Sequence, residues 1–150
     1  MSLAHILDRL LRLHETPLIA QNPEDLFSLG RVYEKRGRRE GARLCYRAAD
    51  RGGMSAAARD RMAECCRRDG DWEAAERIYR RMVQDRQGGA APLIALAKIC
   101  EHRKRDIPAA IEYTRRAIVL SADRADADMT ALQKRYQRLM TKARRNEEWV

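Results

Sequence analysis

A chain of 150 residues has the length of one domain and buries about two thirds of its unfolded surface on folding. Few β-branched and aromatic residues, with abundant Ala, Leu, Arg and Glu, predict an all-α protein, and no apolar run approaches the roughly 18 residues of a membrane span. The net charge of +9, carried mainly by arginine, favours partners bearing phosphates or carboxylates, although a GC-rich genome produces the same composition.

The first predicted helix covers residues 3–14, with Leu3, Ile6, Leu7, Leu10, Leu11 and Leu13 as its apolar stripe. Asp8 and Arg9 interrupt that stretch and no small-residue cleavage site follows, which argues against a signal peptide and for a cytoplasmic protein. His5 and His14 read as surface or packing residues. Thr16-Pro17 ends the helix, and Asn22 caps the next one with Pro23 at its first position. Helices are predicted at 23–36, 39–51, 55–68, 72–86, 91–103 and 107–121. They are broken at Gly37, Gly52-Gly53, Gly70, Gly88-Gly89 and the turn through Arg105-Asp106. Such short connectors make neighbouring helices antiparallel and leave no linker between domains, so 1–150 is predicted to be a single domain. A last helix, about 126–145, follows Asp123, Asp126 and Asp128, which can cap it and oppose its dipole. Its apolar stripe is Met129, Leu132, Tyr136, Leu139, Met140 and Ala143, and its other face carries Lys134, Arg135, Arg138, Lys142, Arg144 and Arg145.

The stretch Gly70 to Met82 shows how the pieces repeat. Gly70 suits the left-handed end of one helix, Asp71 caps another, and Trp72, Ala75, Ile78, Tyr79 and Met82 share one face of it. Gly37, Ala42, Tyr46 and Ala49 stand 33 positions before Gly70, Ala75, Tyr79 and Met82. The pattern returns as Asp106, Ala110, Thr114 and Ala117, with one extra residue in the turn and a threonine where an aromatic is usual. This period of roughly 34 residues, two helices each, resembles the tetratricopeptide repeat. Leu26, Leu29, Gly30 and Tyr33 carry the resemblance in the first copy; Met62, Ala63, Cys66 and Trp72 in the second; Leu93, Leu96, Ala97 and Cys100 in the third. It implies three hairpins, at about 23–55, 56–89 and 90–122, wound into a right-handed superhelix. The N-terminal helix precedes them, and a long basic helix caps them.

No nucleophile elbow, phosphate loop, paired-carboxylate site or metal cluster can be assembled, so neither catalysis nor a cofactor is expected. Cys66 and Cys100 stand in the place of Tyr33 and read as reduced packing thiols; the alternative is a metal site of Cys66, Cys100 and His102. Binding is the expected activity. The resemblance places Glu24, Phe27, Arg31, Glu34 and Lys35 on a concave groove from the first copy. Asp60, Glu64, Arg67 and Arg68 come from the second, and Ile94, Lys98, Glu101 and His102 from the third. The carboxylate clamp known in the family is not matched, because Phe27, Arg31, Arg61 and Ala95 stand where its basic and amide residues belong. A groove of mixed charge suits a peptide of mixed charge.

The arginine excess falls on the second helices and the last helix. Arg43, Arg47, Arg77, Arg81, Lys134, Arg135, Arg138 and Lys142 are candidate phosphate contacts there. Glu40, Glu73, Glu76 and Glu112 interrupt this stripe, which equally fits a salt-bridged solvent face, and no aromatics are interleaved for base stacking. The third copy also reads Ala97-Lys98, Glu101-His102-Arg103, Asp106 and Tyr113-Thr114. This resembles the repeat region that follows the nuclease domain in bacterial RNase H-like exonucleases of the YprB type. That resemblance, good over about 90–145, implies an accessory region with no catalytic residues. Two readings result: a non-catalytic scaffold for a protein partner, or a basic module holding DNA or RNA for an attached nuclease.

Overall fold

A computed structural model describes residues 22–124 and 128–147, and among them every regular element is helical, with no strand. The helix expected at 3–14 lies outside the described residues. The helices are α1 (Pro23–Lys35), α2 (Arg39–Arg51), α3 (Ser55–Arg68), α4 (Trp72–Gln84), α5 (Ala91–Ile99), α6 (Ile107–Arg124) and α7 (Met129–Glu147). The chain divides into two compact units, Met1–Ala58 and Arg59–Val150, and the division falls inside α3 rather than in a linker.

In the first unit, α1 and α2 form a hairpin. The Asn22 side chain accepts from the Glu24 N–H at 3.1 Å, with Pro23 in the first turn. Leu26, Gly30 and Tyr33 from α1 close on Ala42, Cys45, Tyr46, Ala48 and Ala49 from α2, all buried. Gly30 is required by this packing. A Cβ there would lie 2.5 Å from the Tyr46 ring, which is fully enclosed.

In the second unit, Ala63 and Cys66 of α3 share a core with Ala75, Tyr79 and Met82 of α4 and with Leu96 and Ile99 of α5. The next layer joins Ala90 and Leu93 to Ala117 of α6 and Leu132 of α7. The last joins Cys100, Ile107 and Ala110 to Leu139. Helix α7 thus stands beside α6 as a further first helix would, covering the last hairpin.

One turn recurs inside the hairpins. The Arg38 N–H donates to the Tyr33 carbonyl, and 33 residues later the Asp71 N–H donates to the Cys66 carbonyl, each at 2.9 Å. Gly37 and Gly70 supply the left-handed residue. In the third copy the Asp106 N–H reaches the Cys100 carbonyl, also at 2.9 Å, across one more residue. The extra residue is taken up as a π-helical turn, Cys100–Lys104, so the α-helix predicted to reach 103 ends at Ile99. Arg105 takes the left-handed place with φ 56°. Elsewhere α6 runs on to Arg124 and α7 spans Met129–Glu147 with Asp128 as its cap, its side chain accepting from the Ala131 N–H at 3.1 Å. Thr114, in the position of Tyr46 and Tyr79, is fully buried and donates its hydroxyl to the Ala110 carbonyl at 2.8 Å.

Candidate partner-binding surface

In the first two hairpins the first helix holds a charged residue where the second-helix tyrosine reaches it. In the first unit the Tyr46 hydroxyl donates to Glu34 at 2.7 Å, and the Phe27 ring stands 5.5 Å from that of Tyr46. Arg31 is exposed. Glu34 and Phe27, expected on an open groove, are both half-buried and engaged with Tyr46.

In the second unit, Asp60, Glu64 and Arg67 hold the places of Phe27, Arg31 and Glu34. Arg67 donates to Glu64 at 2.9 Å, and Arg68 approaches the same carboxylate at 3.3 Å. The Tyr79 hydroxyl lies against this group. Burial pushes its pKa up, and hydrogen bonding to Arg67 opposes the rise. Partial burial, with Glu64 nearby, raises the Asp60 carboxyl pKa despite Arg61 and Arg67. Trp72 completes the surface. Arg103 lies 4.0 Å above its ring and Arg67 5.9 Å from it. On α5, Lys98 is exposed and Ile94 half-buried.

Glu101 holds the corresponding place in the third hairpin and is corrected by the structure. It is 3% exposed, with Arg135 donating to it at 2.9 Å and Arg138 at 2.8 Å, while His102 stands 3.5 Å away. Thr114 is too short to reach it, and α7 supplies the partners instead. Arg135 and Arg138, expected on the outer face of the last helix as phosphate contacts, therefore bind a carboxylate of their own chain. Arg81 likewise pairs with Asp85 at 3.0 Å. Arg47, Arg77, Lys134 and Lys142 are exposed, and Arg43 is half-buried. Glu76, expected on the outer stripe, is a buried carboxylate. It accepts from Arg80 at 2.8 Å and from Lys104 of the π turn at 2.8 Å.

Cys66 lies in the α3–α4–α5 core, Cys100 beside Leu139, and His102 is exposed. Among the described residues, no group of three His, Cys, Asp or Glu is placed to hold a metal ion. Burial raises the Cys45 pKa to about 11 and also raises that of Cys100, where Glu76 adds to it. Both thiols stay protonated at neutral pH. Among the described residues no helix is long and apolar enough to cross a membrane.

Among the contacts that sequence reasoning missed are Arg103 over Trp72 and Arg67 with Tyr79. Arg67 lies 12 residues before Tyr79, on the other side of a turn, and Arg103 lies 31 residues beyond Trp72, so no helical spacing links them.

Residues 58–89, which cover α3 from its second turn, α4 and the following turn, match the family model for the tetratricopeptide repeat. Among curated proteins none matches the chain. The match is thus confined to the second hairpin, and the hairpins on either side reuse its turn and its buried alanine.

Proposed function

We propose that the chain is a non-catalytic scaffold that holds a protein partner on the first helices of its repeats. The observation that carries this reading is the surface of the matched repeat. Asp60, Glu64 and Arg67 form a charged group anchored by Tyr79, next to Trp72 and, on the following first helix, exposed Lys98. Fixed charges of both signs beside an aromatic surface suit a peptide segment of mixed charge with an apolar side chain. The tetratricopeptide match to this hairpin supports the same reading. Ile94 in the third hairpin extends the proposed surface within the second unit, and Phe27 and Arg31 are the corresponding candidates within the first, taken by itself. Pulldown from a lysate, followed by direct binding of the recovered protein, tests the proposal. Arg67→Glu and Lys98→Glu should each weaken capture about tenfold, the usual loss for a like-charge contact at an interface. Equal capture by the parent and both variants would rule this surface out.

The narrower role, accessory region of an RNase H-like exonuclease, rests on the resemblance of residues 90–145 and is tested by whether the chain binds such a nuclease domain. Nucleic acid is the alternative partner, with Arg47, Arg77, Lys134 and Lys142 exposed for it. Its signature is duplex affinity that falls steeply with salt.

A further inference from the structure

The second unit contains a cavity of about 490 Å³ whose residues are separate from the surface proposed above. Its floor is the edge of the core, formed by Val83, Leu93 and Leu120. Val119 stands at its side, 59% exposed, an apolar side chain left in water. Three arginines, Arg86, Arg115 and Arg116, complete the lining together with Gln87 and Gly89. The volume accommodates one or two large side chains, within the range of small binding pockets.

The backbone marks Arg86 a second time. The Gln87 N–H donates to the Met82 carbonyl at 2.8 Å, repeating 33 residues later the bond from the Met54 N–H to the Ala49 carbonyl at 3.0 Å. Gly53 is the left-handed residue of the earlier turn, and Arg86 stands in its place with φ 54°. Glycine takes that conformation without strain and arginine does not. The strain falls at the cavity, where the arginine adds a cation that glycine would not. Arg105, the other left-handed arginine, likewise lines a cavity, of about 320 Å³, with Glu101 and Lys142. Strained backbone of this kind collects at binding sites.

We propose that the cavity beside Val119 is a second docking site, taking a segment of a partner protein in which a large apolar side chain is flanked by acidic residues. The apolar group fills the space over Val83, Leu93 and Leu120, and the acidic flanks meet Arg86, Arg115 and Arg116. Charge complementarity selects this occupant, since three cations around an apolar floor oppose a basic segment and leave a purely apolar one without partners for the rim. Arg115 is held by both oxygens of Glu112 at 3.0 Å, and Arg116 lies 6.0 Å from the Tyr113 ring. The Glu112 pair is exposed on both sides, so exchanging it for an incoming carboxylate costs little.

The test uses the full chain and a fluorescein-labelled peptide, Asp-Glu-Leu-Phe-Glu-Asp, blocked at both ends and titrated at low salt by fluorescence anisotropy. Binding should be saturable and should weaken about tenfold in Arg116→Glu and in Val119→Asp. Both changes are at exposed positions, and circular dichroism of the variants should match that of the parent. Arg86→Gly should also weaken binding while its thermal midpoint stays at or above that of the parent, which a purely structural Arg86 would not produce. Replacing the acidic residues of the peptide by lysine, or Leu-Phe by Ala-Ala, should abolish binding. Absence of binding, or equal affinity across the variants, overturns the proposal. A 20-base-pair duplex that binds more tightly than the peptide and loses affinity in Arg116→Glu assigns the arginines to nucleic acid and overturns it. Concentration-dependent dimerisation abolished by Val119→Asp assigns the cavity to a second copy of the chain and overturns it as well.

Discussion

Single residues decide how tightly each hairpin closes. Gly30 lets the Tyr46 ring lie against α1, and the ring has no room to retreat because it is fully enclosed. Gly30→Ala gains helix propensity of about 1 kcal/mol but overpacks that contact, which typically costs about 1–3 kcal/mol. A lowered thermal midpoint is expected, and an unchanged or raised one would mean that Tyr46 moves freely. Glu76 sets a pH dependence. Burial raises its pKa, but hydrogen bonds from Lys104 and Arg80 outweigh this and hold the carboxyl below the usual value of 4.5. A depressed carboxylate contributes stability that is fully present above the unfolded pKa and lost as pH falls through the lower, folded one. The chain should therefore lose stability from about pH 4.5 downward. Glu76→Gln should be less stable than the parent at pH 7, with the difference shrinking toward pH 3, as measured by urea unfolding at each pH.

At the scale of an element, the π turn and α7 belong together. In the first two hairpins a tyrosine hydroxyl reaches the charged residue of the first helix, Glu34 or Arg67. In the third, Thr114 leaves that role open, and Arg135 and Arg138 of α7 take Glu101. Glu101→Gln should destabilise by about 2 kcal/mol, since charged hydrogen bonds are lost and Arg135, itself mostly buried, is left with a weaker partner. The change should increase proteolytic cleavage within α7 by trypsin. Arg138→Ala should cost less, because that side chain is largely exposed. Turns and caps were readable in the sequence, since Gly37, Gly70, Asn22, Asp71 and Asp106 act within a few residues of themselves. The Glu101 pairing was not. It joins helices 34 residues apart, and the charges of α7 lie on more than one face, so periodicity alone put Arg135 in water. Glu76 was misplaced for the same reason, because its partner Lys104 lies 28 residues away.

For the whole molecule, a closely packed helix pair is what the repeat provides. The buried alanines Ala42, Ala75 and Ala110 allow close approach in each hairpin, and their 33-residue and 35-residue spacings were plain in the sequence. What α7 contributes is a matter of area. Leu132 and Leu139 are almost wholly enclosed and each stabilises by about 1.5–3 kcal/mol. A chain ending before Met129 should lose at least that sum and expose Ile107 and Ala110, with aggregation visible by size-exclusion chromatography. The candidate surface was only partly legible. Its charged residues followed from position in the repeat, but which of them remain at the surface depended on tyrosine, threonine and α7.

The four enclosed thiols provide a clock for each part of the chain. A thiol reagent must reach the sulfur, and a shut core does not admit it, so labelling waits for local opening. Cys45 reports from the unit that ends at Ala58, and Cys65, Cys66 and Cys100 report from the unit that starts at Arg59. Mass spectrometry of timed labelling in mild urea then reads two openings in one tube. Matching half-times would mean that the repeats yield together, and a faster Cys45 would mean that the first hairpin breathes on its own.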